Sequence, residues 1–191
     1  MPNENQFPTN HAIFLKLAKS SYKTTALTHL TRFTFRYRLA KDFTGLKAAN
    51  VGKTLAGYDV ITKIFLAYTA YEAIVKAARF LKVRLVLEHE LNTRFEPTLA
   101  IKLRANHKLK EFLLAYPLEV GLANKVKLFF DGTTSDIICI SYSLRNIFAH
   151  GDLTASPIGT ETISKREVFT DLADAILEYC DDIFSNCLPR L

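Results

Sequence analysis

A chain of 191 residues is long enough for one sizeable core, and its 49% hydrophobic and 23% charged residues exclude a disordered chain beyond ends such as Met1 to Pro8. No apolar run reaches the roughly 18 uncharged residues of a membrane-spanning helix. The start Met-Pro-Asn-Glu-Asn-Gln has neither the basic nor the apolar part of a signal peptide, so no membrane partner and a cytoplasmic location are expected.

The net charge of +6 is unevenly spread. Residues 1–130 hold 21 Lys+Arg against 9 Asp+Glu, and residues 131–191 hold 4 against 10. The basic part can attract nucleic acid by counterion release, dock on the acidic part, or simply be solvated. Cys139, Cys180 and Cys187 are odd in number, form no Cys-x-x-Cys pair and, with five scattered histidines, show no zinc spacing. Buried, reduced thiols are the expectation, with no metal and no cofactor.

Few glycines and prolines interrupt the chain, so long helices are expected. Asn10 to about Tyr22 reads as a first helix with Ile13, Phe14 and Leu17 on one side. Phe33 to Leu39 alternates apolar and polar residues, the period of a strand, and Val83 to Leu87 does so more weakly. The two segments can pair as a small hairpin, or both can be helical. Leu55 to Lys82 is the clearest long helix, with Ile61, Ile64, Phe65, Tyr68, Tyr71, Val75 and Ala78 at helical spacing. Asp59 with Lys63 and Glu72 with Lys76 support it as acid-before-base pairs four apart.

A further helix covers Thr98 to Ala115 and stops before Pro117. Another runs from Leu118 to Phe130 and is closed by Asp131-Gly132. The next starts near Ser135 and ends at His150-Gly151, where glycine suits the left-handed position after a helix C-terminus. A loop follows from Asp152 to Ile163. Ser164-Lys165-Arg166-Glu167 has the form of a capping box that opens a last helix to about Cys187. Its core face is Val168, Leu172, Ala175, Ile176, Tyr179 and Ile183, and Asp171, Asp174, Glu178 and Asp181 form an acidic stripe. The expected organisation is an N-terminal extension, residues 1–50, packed on a helical domain of residues 51–191, compact overall.

The candidate chemistry sits at Leu144-Arg145-Asn146-Ile147-Phe148-Ala149-His150-Gly151. Asn146 and His150 are four apart on one helix and share a face. Arg145 lies about 100° round from Asn146, within swing of a long side chain. No charge occurs from Ile137 to Leu144, so this helix is expected to pack on both sides, with a second copy of the chain as one possible cover. Arg84 to His89 offers the same Arg-x4-His spacing but lacks the polar neighbour and the glycine stop. Val51-Gly52-Lys53-Thr54 fails as a phosphate loop, because the glycine required five residues earlier is Lys47.

Arg-Asn-x-x-Ala-His-Gly at a helix end, followed by a loop and a long final helix, resembles the Arg-x4-6-His motif of HEPN domains. The Leu55 to Lys82 helix, with Tyr71-Glu72-Ala73-Ile74, resembles an earlier helix of that family's bundle; the likeness covers about residues 55–187. It implies an all-α, antiparallel helical bundle. It also implies a homodimer with the site at its interface, and a metal-independent endoribonuclease acting in defence, stress or toxin systems. His150 would then act as general acid or base on the ribose 2′-hydroxyl or the leaving oxygen. Arg145 would stabilise the phosphorane-like transition state, and Asn146 would orient the phosphate or His150. A branch of the family modifies a Tyr two residues after the motif His; here that residue is Asp152. Two other readings compete: a non-catalytic module that binds RNA or a protein, and a structural dimer. In the latter, His150 caps the helix and Arg145 pairs with Asp152 or the acidic last helix.

Overall fold

The computed structural model describes residues 6–20, 25–47, 52–83, 85 and 97–191. Among the described residues there are eight α-helices and no strand. They are α1 (His11–Ser20), α2 (Thr25–Asp42), α3 (Gly52–Phe80), α4 (Pro97–Arg104), α5 (His107–Ala115), α6 (Val120–Phe130), α7 (Ile137–Ala149) and α8 (Ile163–Cys187). A 3₁₀ turn, Leu188–Arg190, follows. No helix among the described residues is long and apolar enough to cross a membrane. The all-α expectation is met, and all three cysteines are free and buried on helices.

The strand reading of residues 33–39 is wrong: they lie within α2. Phe33 and Tyr37 are four apart and buried, whereas Phe35 and Leu39, also four apart, are 71% and 47% exposed. Alternating letters thus resolve into two helical rows, one inside and one outside. Val83 and Leu85 belong to no regular element; the rest of 83–87, and both ends of the Arg84 to His89 match, lie outside the described residues.

The chain divides into two compact units. The first comprises Met1–Phe43, Leu66–Leu85 and Asp174–Leu191. Its core is aromatic: Phe14 and Phe33 both meet Phe184, at ring separations of 5.6 and 5.3 Å, and Tyr37 lies 5.5 Å from Phe33. Burying each of these rings stabilises the fold by roughly 1.5–3 kcal/mol relative to exposure. Of the expected face of α1 only Phe14 is buried; Ile13 is half exposed. Thr9, just before α1, donates its backbone N–H and its hydroxyl to the Asp181 carboxylate on α8.

The second unit comprises Thr44–Phe65 and Val86–Ala173 and carries the motif. Here α4 packs on α5, α5 on α6 and α6 on α7. The expected single helix from Thr98 to Ala115 is broken at Asn106, which serves as the N-cap of α5. Its Oδ1 accepts from the Leu109 N–H and its Nδ2 donates to Ile158 O, 52 residues away. One side chain thus both caps α5 and ties it to the loop after α7. Arg104 holds the far end of α6: its guanidinium donates to Phe129 O, Thr134 O and the Ser135 hydroxyl while lying over the Phe129 ring. This fixes the Asp131-Gly132 turn, with Gly132 at φ +81°, and so sets where α7 begins.

Candidate functional site

The position of α7 follows from its two ends. At the N-terminus Asp136, buried, accepts from the N–H groups of Ile138 and Cys139, which satisfies two donors that no helix can satisfy internally. At the C-terminus His150 is the C-cap residue and Gly151 takes φ +83°. Gly151 N–H bonds to Phe148 O and Asp152 N–H to Ile147 O, the paired bonds of a Schellman stop. A side chain at residue 151 would be strained by that φ, although the space around it is open.

Between these ends the charge-free stretch is buried within its own chain. Cys139, Ile140, Ser141, Ser143, Leu144 and Ile147 are all at most 3% exposed. The two serines tolerate this because their hydroxyls donate to carbonyls four residues back, Ile137 O and Cys139 O. Burial within one chain accounts for the missing charges, so this stretch offers no argument for a second protomer. Phe148 packs its ring 5.6 Å from that of Phe65 on α3.

The segment after α7 is held from several directions. Leu153, Ala155 and Ile158 are buried, and Thr160 donates its hydroxyl to Ala155 O. Gly57 of α3 lies directly against it: a Cβ there would stand 2.4 Å from Ala155 Cβ and 2.5 Å from Thr160 Oγ1. Arg166 donates to Thr160 O and Glu161 O, and Lys108 pairs with Glu161. The residue that caps α8 is Thr162, whose hydroxyl accepts from the Lys165 N–H, rather than Ser164. Ser164 falls inside the helix, which starts one residue before it.

With both flanks fixed, α7 ends over an open groove of about 600 Å³. Asn146 and His150 line it, as their four-residue spacing requires, together with Tyr142, Tyr116, Glu119 and Asp152. His150 is exposed and Asn146 half-buried. Arg145 does not line the groove; its Nη1 donates to Asn146 Oδ1 at 2.9 Å. That bond fixes the amide's acceptor toward Arg145 and leaves Nδ2 as the donor Asn146 can offer a ligand.

Tyr116 and Glu119 were not singled out in the sequence. Tyr116 follows α5 and Glu119 is the N-cap of α6, accepting from Gly121 and Leu122 N–H. The Tyr116 hydroxyl donates to Asp152 Oδ2 at 2.6 Å. This bond, followed by burial and the carboxylate charge, raises the phenol above its ordinary value of 10.0. Asp152 therefore serves Tyr116. Only the Pro117 break was a sequence signal that something happens here.

No protein-family model, no curated protein and no solved structure matches the chain. Among the described residues, no group of three or more His, Cys, Asp or Glu is placed to hold a metal ion.

Proposed function

We propose that this is a HEPN-like helical protein whose α7 groove binds RNA and cleaves it by attack of the ribose 2′-hydroxyl. The observation that carries the reading is the side-by-side placement of Asn146 and His150 in an open groove, with Arg145 bonded to the Asn146 amide. An exposed imidazole is accessible to a ribose, and an imidazole can both accept and donate a proton, as this reaction needs.

In this scheme a neutral His150 takes the 2′-hydroxyl proton as the 2′-oxygen forms its bond to phosphorus. The bond from phosphorus to the 5′-oxygen then breaks, and that oxygen takes a proton from solvent or from an imidazolium. The products are a 2′,3′-cyclic phosphate and a 5′-hydroxyl. Asn146 Nδ2 donates to a phosphate oxygen, and the permanent charge of Arg145, one bond behind it, favours the extra negative charge of the transition state. Metal independence and a defence, stress or toxin setting come with the resemblance. So does the homodimer with the site at its interface. A second protomer would meet this one at the groove rim, where Tyr142 and His150 are exposed, rather than on the buried charge-free face.

The reading predicts that purified protein cuts RNA in the presence of EDTA and leaves cyclic phosphate ends. His150→Ala should abolish the cutting, and its retention would sink the proposal. A structural reading also has an observation behind it, because His150 is the C-cap of α7. It predicts a lowered melting temperature for His150→Ala and no activity to lose.

A further inference from the structure

In the first unit, α2 and the second half of α3 lie antiparallel. Arg36 Nη1 donates to Thr69 O at 3.0 Å near one end, and His29 stacks on Phe80 at 5.3 Å near the other. The outward rows of the two helices therefore form one face. Its large side chains are unusual for a solvated surface: Phe35 is 71% exposed and Phe80 is 58% exposed. Cations stand between and beside the rings. Arg32 on α2 and Lys76 on α3 are both close enough to hold His29 below the usual histidine range, after the larger effect of burial. Arg79 is exposed next to Phe80. Glu72, half-buried and four residues before Lys76, is the acid on the α3 row.

We propose that this α2–α3 face binds single-stranded nucleic acid, with bases stacked on Phe35 and Phe80 and phosphates met by Arg32, Lys76 and Arg79. Two exposed rings spaced among cations match the two surfaces of a single strand, its flat bases and its charged backbone. His29, which carries the Phe80 stack, and Phe35 are six residues apart on α2, about 9 Å along its axis, so the two rings are offered at separate points; Leu39, 47% exposed, extends the Phe35 row on the side away from Phe80. A membrane surface would call instead for a continuous apolar face with cations at its edge. The proposed surface is independent of the groove, and it stands whether or not the groove cuts.

The test is fluorescence anisotropy of the full chain with labelled oligouridylate and, separately, oligodeoxythymidylate, over a range of salt. The deoxy strand has no 2′-hydroxyl, so its binding is read without cleavage. Both strands should bind. Phe35→Ala and Phe80→Ala should each weaken binding about five-fold or more, with a far-UV CD melt unchanged for the first and lowered by no more than a few degrees for the second, which gives up its stack on His29. Changing Arg32 and Lys76 together to Gln should lower the slope of log affinity against log salt by about 1.4. Affinities unchanged by both Phe substitutions would overturn the proposal. Binding to vesicles of anionic phospholipid with none to either oligonucleotide would overturn it in favour of a membrane surface. Cleavage that survives His150→Ala would remove the groove reading and leave this one standing.

Discussion

Replacing Asp136 by Ala removes the cap of α7 and tests whether the helix that carries the motif is held from its far end. The carboxylate is buried and accepts from two N–H groups at 2.9 and 3.2 Å. Loss of an N-cap costs about 1 kcal/mol, and up to about 2 in unfavourable sites. The Cys139 N–H is buried, so leaving it unsatisfied adds roughly 1–3 kcal/mol. The capping figure already contains part of that penalty, so a combined loss of about 2–3 kcal/mol is expected, a fall of roughly 5–10 °C in melting temperature for a chain of this size. Asp136→Asn keeps an acceptor in place and should fall by less than half as much. The groove lies at the other end of a 13-residue helix, about 20 Å away. Binding and any cleavage per folded molecule should therefore be unchanged at temperatures well below the melt. Thermal melts by far-UV CD, paired with activity at low temperature, read both quantities. An Asp136→Ala melt within about 2 °C of the parent would refute the capping account.

Gly57→Ala should destabilise by about 1–3 kcal/mol, because its Cβ would meet Ala155 and Thr160 inside van der Waals distance; urea melts would show it, and an unchanged midpoint would contradict the packing of the loop on α3. Tyr116 titrates above 10.0 through its bond to Asp152, so Asp152→Asn should move the tyrosinate absorbance transition back toward that value. The sign follows from a raised folded pKa: the bond's contribution is complete below the unfolded pKa and is lost as pH rises through the higher folded value. A transition indifferent to Asp152→Asn would show that the bond does not form in solution.

The all-helical class, the long α3, the stop at Gly151 and the extent of α8 were readable because each rests on local chemistry: apolar spacing, a left-handed glycine and a break-free run. Phe33 to Leu39 stays open between strand and helix in the sequence for an equally local reason. Residues two apart alternate in a strand, and the same letters four apart make a buried row, Phe33 with Tyr37, and an exposed row, Phe35 with Leu39. The exposed row is the unusual one, and it belongs to the face proposed for nucleic acid. Asn106 could not be read as a helix break, since the bond that fixes it comes from Ile158 O, far along the chain.

At the site, Asn146 and His150 were legible as neighbours because one helix carries both. Tyr116 and Glu119 were not, since folding alone brings the α5–α6 connection beside the end of α7. The charge-free stretch of α7 reads in the sequence as a helix packed on both sides, and the chain itself supplies the cover. Serines that return their hydroxyls to their own helix can be buried by the same chain, without a partner.

The central claim turns on whether His150 moves protons or only closes a helix. The direct measurement is single-turnover RNA cleavage by the parent and by His150→Gln, in EDTA, beside the melting temperature of each. The proposed chemistry predicts a rate loss of about 10²–10⁴-fold, with a melt lowered by no more than the few degrees that an exposed helix-end histidine contributes. Undiminished cleavage, or a large fall in the melt with no cleavage in the parent, would contradict it.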